Sequence, residues 1–124
     1  MDAVVTVPKQ IWEGWIAEGD PVGDPWTGEE WGFYAGCLGM PQVHPGDRVY
    51  VVAHGRMRGY APLIRLARPS TRSVCFVRGG GAIAVTIPEI IRGFQGFRYR
   101  WWSREWEVPF PGWRTAGVPI PVSA

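Results

Sequence analysis

The chain has 124 residues, 46% of them hydrophobic, which suffices for one domain with a packed core and is too apolar for a disordered segment. Two cysteines, Cys37 and Cys75, exclude a disulfide-dense secreted scaffold, and no apolar run has the length of a membrane-spanning helix. The formal charge of only +2 conceals a polarised chain: eight acids against Lys9 give about −7 through Asp47, and twelve arginines against three acids give about +9 from Arg48 onward.

The start, Met1-Asp2-Ala3-Val4-Val5, carries no basic segment or apolar run of a signal peptide, which predicts a soluble chain in a reducing, cytoplasmic setting. Ala3–Val7 reads as a short strand. Pro8 then opens a helix, where its missing N–H costs nothing, and Ile11, Trp12, Trp15 and Ile16 form a compact apolar stripe that Gly19 ends. Residues 20–30 form a loop rich in proline and glycine, and Trp31–Gly36 is a strand. Pro45-Gly46-Asp47 is a turn signature directly ahead of the β-prone run Arg48–His54. A turn at Gly55–Gly59 returns the chain as a strand over Tyr60–Ala67, with Pro62 marking an edge or a bulge. Ser73–Arg78 and Ala82–Ile87 flank Gly79-Gly80-Gly81, a hairpin signal. Phe97–Trp102 is a further strand, and from Pro109 to Ala124 the chain reads as an extended, proline-rich tail. The expected fold is mixed α+β but mainly β: one domain over residues 1–108, a small pseudo-barrel of five to seven short strands with an N-terminal helix.

The order of these motifs resembles the PUA-like superfamily, and within it the ASCH and EVE branches. The residues that carry the resemblance are Pro45-Gly46-Asp47-Arg48-Val49-Tyr50, the strand from Gly59-Tyr60-Ala61, and Gly93-Phe94-Gln95-Gly96-Phe97-Arg98-Tyr99-Arg100-Trp101. It implies a pseudo-barrel with a pocket for a base or a modified base. ASCH proteins that hydrolyse modified nucleosides share a lysine in a Gly-x-Lys-x-x-Glu-x-Arg motif after the first helix. The corresponding stretch here, Gly23–Trp31, has neither lysine nor arginine, so the resemblance implies binding without the catalytic lysine.

Arginines interleaved with aromatics suit a polyanion that offers flat faces for stacking, which describes a nucleic acid or a nucleotide-like ligand. Alternation over Phe97–Trp102 sends Phe97, Tyr99 and Trp101 to one face and Arg98, Arg100 and Trp102 to the other. The second face is then either a solvated cationic surface or a phosphate-binding stripe that Arg104 extends, with Trp102 as its stacking platform. Arg56 and Arg58 fall on the hairpin tip, where they are ordinary solvated residues or reach the same ligand. Trp26, Trp31 and Tyr60 are candidates for the wall of a base pocket, although Trp31 also suits the core.

Other constellations are weaker. Glu29, Glu30 and His54 are acid–base groups in kind, but solvated surface charge is the better reading of them. Cys37, His44, His54 and Cys75 match no close-pair zinc spacing, so no metal or cofactor is expected. The alternative functions are a small hydrolase acting on a modified nucleoside or related amide, and a homo-oligomeric module whose acidic front meets its basic back.

Overall fold

A computed structural model describes residues 1–18, 31–37, 39–79 and 82–111. It is mainly β. The elements are β1 (Ala3–Thr6), α1 (Lys9–Glu18), β2 (Trp31–Gly36), β3 (Arg48–Ala53), β4 (Arg56–Ser70), β5 (Ser73–Arg78), β6 (Val85–Thr86), β7 (Phe97–Tyr99) and β8 (Val108–Pro109), with a 3₁₀ turn at Arg104–Trp106. Six strands form one sheet in the order β2-β5-β4-β3-β1-β7, and β6 pairs with β8 in a small second sheet. All pairings in the large sheet are antiparallel except β1 with β3.

The sheet is strongly curled. β5 and β7 lie four strand intervals apart in the order, roughly 19 Å in a flat sheet at about 4.8 Å per strand. Yet the Phe76 ring of β5 meets the Phe97 ring of β7 edge-on at 5.1 Å. The concave side therefore closes on itself as a half-barrel, filled by Ala3, Val5, Val49, Val51, Leu63, Val74 and Phe76, with Trp12 of α1 and Phe110 packed against them. The convex side of β1 and β3 is covered as well. Val4, Tyr50, Val52 and Met57 pack there on Ile87, Ile91 and Trp102. Burial on both faces explains why Val49–Ala53 reads as a continuous buried run rather than an alternating one.

Three expectations are corrected. The turn between β3 and β4 is only His54-Gly55, both at positive φ, the geometry that suits the twist of a two-residue hairpin. Arg56, Met57 and Arg58 consequently belong to β4 and not to a loop. The register steps from Val52↔Met57 to Val51↔Gly59, so Arg58 is the extra residue of a β-bulge. Secondly, Ser73–Arg78 does not pair with the 82–87 segment as a hairpin. Both edges of β5 are already taken by β2 and β4, and Ile83 instead bridges to Tyr60. Gly59 permits that approach: a Cβ there would collide with the Ile83 carbonyl. Thirdly, the packed structure continues past residue 108, since Val108–Pro109 pairs with β6 and Phe110 is buried in the core.

Candidate functional site

The cationic side chains do not form one free stripe. β7 ends at Tyr99, so the alternation predicted for Phe97–Trp102 holds only over Phe97–Tyr99. Beyond it Trp102 turns inward, 3% exposed, and Trp101 outward, 40% exposed. The Trp102 ring meets Tyr50 edge-on at 5.0 Å, and its Nε1 donates to Glu107 Oε2 at 2.9 Å. It is a core residue, not a stacking platform.

Arg100 and Arg104 converge on one carboxylate. Arg100 Nε donates to Asp2 Oδ2 at 3.0 Å and Arg104 NH2 to the same oxygen at 2.8 Å, while the Arg48 N–H donates to Asp2 Oδ1 at 2.9 Å. Asp2 is buried. Burial alone would raise its pKa, but the Arg48 N–H and the Arg104 and Arg100 guanidiniums outweigh it and hold the carboxyl below the usual aspartate range. A second carboxylate, Glu107, accepts from Arg48 NH1 at 3.0 Å and from the Tyr50 hydroxyl at 2.5 Å. Burial, then the bond to Glu107, pushes the Tyr50 phenol well above its usual value, so the hydroxyl stays a donor. The sheet and the 97–107 segment are thus cross-braced by two buried acids from opposite ends of the described chain.

Arg58 is buried and unavailable on any tip. Its Nε donates to the Ala53 carbonyl at 2.8 Å, and its guanidinium lies 5.4 Å from the centre of the Phe110 ring. Burial, reinforced by the charge of Arg56, lowers its pKa to about 10. Arg56 is half-buried opposite Ala53. Tyr60, a pocket candidate, is half-buried beneath the Arg48 guanidinium, 4.0 Å from its ring centre, and packs against Tyr50 on the convex side. Trp26 lies outside the described residues; Trp31 begins β2, its backbone paired with Arg78.

Arg98 is exposed, as Arg104 is, but it is not tied to Asp2: its guanidinium sits 4.3 Å from the centre of the Phe94 ring. Phe94 lines a cleft of about 430 Å³ at the seam where the curled sheet brings its two edges, β2 and β7, toward each other. Val5, Val7, Ile11, Phe33 and Phe94 give the cleft apolar walls, and Thr6, Tyr34, Arg78 and Gln95 supply polar groups. The Phe94 N–H donates to Thr6 Oγ1 at 3.1 Å, which ties the 94–96 wall to the end of β1. Ile11, expected on the inner stripe of the helix, is 59% exposed and faces this cleft instead.

A volume of this size, with aromatic walls and a few polar groups, suits a small planar ligand. No carboxylate or histidine lines the cleft among the described residues. Comparison of the chain with family models, with curated proteins and with solved structures returns no match, so the reading of the site rests on its geometry. Sequence reasoning singled out Arg98 but not the cleft beside it. Its walls come from separate stretches, at 5–11, 32–34, 78 and 94–96, that only the curl brings together.

Proposed function

We propose that this chain is a PUA-like binding module for a nucleotide unit, free or within a nucleic-acid strand. The base enters the seam cleft between Phe33 and Phe94, and Arg98 at its rim neutralises phosphate. The observation that carries the reading is the single ring of Phe94, which lines the apolar cleft and bears the exposed Arg98 guanidinium. Stacking surface and cationic charge adjoin there, as recognition of a base and its phosphate requires. Arg56 has a lesser share in this reading, and Arg100 and Arg104 act by holding the cleft's supporting strand through Asp2.

Fluorescence anisotropy with labelled single-stranded RNA and DNA, at two salt concentrations, tests it. Wild-type binding should weaken with salt, and Arg98→Ala should lower the salt slope by about one, the signature of one lost phosphate contact. Arg98→Ala should leave the melting temperature unchanged, whereas Arg100→Ala should lower it, because only Arg100 is tied to a buried carboxylate. Absence of binding at low salt, or an Arg98→Ala slope equal to wild type, would refute the proposal.

A further inference from the structure

A second concavity lies away from the cleft. It is a groove of about 490 Å³ lined by Ile87, Pro88, Glu89, Glu105, Trp106 and Val108. Trp106 is 60% exposed; Ile90, next in sequence to Glu89, and Trp101, whose indole is bonded to Glu89, are 64% and 40% exposed. Such a cluster of large apolar side chains is unusual on a free surface and marks a contact site.

Its charge is distinctive. From Arg48 onward the chain has only three acids, Glu89, Glu105 and Glu107, and two of them flank this groove. Glu107 is committed to Arg48 and Tyr50. Glu105 and Glu89 form no ion pair among the described residues; Glu89 accepts only the Trp101 indole N–H, at 3.0 Å. The groove is therefore an acidic, aromatic island in the basic part of the sequence.

Its walls are held in place. The 3₁₀ turn carrying Glu105 and Trp106 is capped by Ser103, whose Oγ accepts from the Glu105 N–H, and is anchored on one side by Arg104 to Asp2. On the other side Glu107 is fixed by the sheet, and Val108 pairs with Thr86. The 87–91 wall is tied down by the Ile91 N–H donating to the Gly55 carbonyl at 2.9 Å. A groove ordered before its partner arrives avoids much of the entropy lost on binding.

We infer that this groove docks an arginine-bearing segment of a partner protein. The guanidinium lies over the Trp106 ring, between the Glu89 and Glu105 carboxylates, and its methylene stem lies along Ile87 and Val108. Arginine fits better than lysine, because its planar cation stacks on an indole while donating to carboxylates in its own plane. The inference is independent of the nucleotide reading, since groove and cleft share no lining residue.

Anisotropy of a fluorescein-labelled Gly-Arg-Gly-Arg-Gly peptide on the intact chain tests it, with the Glu89→Gln/Glu105→Gln double variant, Trp106→Ala and an all-lysine version of the peptide. Saturable binding should weaken at least about tenfold in each variant, and the lysine peptide should bind several-fold less tightly than the arginine one. Both groove variants replace exposed side chains, and melting curves matching wild type would verify their fold. Equal peptide binding by wild type and both variants would locate it on the acidic front and overturn the inference. So would a lack of peptide binding together with self-association that Trp106→Ala abolishes, which would make the occupant a second copy of this chain.

Discussion

Asp2 accepts two guanidiniums and a backbone N–H from a position 3% exposed, so its charge is a structural element. Removing one member of such a set leaves the others without their counter-charge. Arg100 and Arg104 are partly exposed, at 26% and 51% of their side chains, and water recovers part of the loss. Asp2→Asn is accordingly expected to cost about 1–3 kcal/mol near neutral pH, measured by urea unfolding. The sign of its pH dependence follows from the lowered pKa. A carboxyl that titrates lower folded than unfolded contributes fully above the unfolded value of about 3.8 and loses that contribution as pH falls through the folded one. The gap between wild type and Asp2→Asn should therefore narrow as pH drops below about 4. A gap that is constant down to pH ~2 would remove the role assigned to this carboxylate.

Among the elements, the β3–β4 hairpin decides most. A turn of two residues puts Arg56–Arg58 into the ladder, and the bulge at Arg58 resets the strand so that Tyr50 faces Tyr60. Gly59 sits at φ +153°, and a Cβ on it would strike backbone of the 83–84 crossing. Gly59→Ala should thus destabilise by more than about 2 kcal/mol, since a collision with backbone is relieved only by moving a strand. Thermal unfolding would measure the loss, and amide exchange should show it concentrated at Tyr60 and Ile83, which exchange hydrogen bonds across the bridge. An alanine variant of wild-type stability would contradict this packing. The sequence marks the region as a hairpin through Gly55 and Gly59, but two glycines so close leave the turn open to either length. Burial of Met57 and Arg58 settles it.

At the scale of the molecule, the curl of the sheet builds the cleft. Phe76 and Phe97 meet across the concave side, and the seam between β2 and β7 opens next to them. Gln95 is exposed on the cleft wall. Gln95→Trp should occupy part of the cleft and lower nucleotide binding at least about tenfold, with stability within about 0.5 kcal/mol of wild type. Unchanged binding by a stably folded Gln95→Trp protein would place the ligand elsewhere on the molecule.

The β-rich character, the strand at Arg48–Ala53 and the placement of Phe97 and Tyr99 on one face, opposite Arg98, were legible in the sequence. Each depends on neighbours within a few residues, on β-propensity or on alternation, and local physics suffices for that. The uneven distribution of charge was legible too, although its consequence was not. A list of residues states that acids lead and arginines follow, but not that Asp2 would be folded between Arg100 and Arg104. Which arginine is tied to a carboxylate, which tryptophan turns inward and where a cavity opens depend on contacts between residues about a hundred positions apart. Those contacts exist only once the sheet has curled and its two buried carboxylates have claimed their partners.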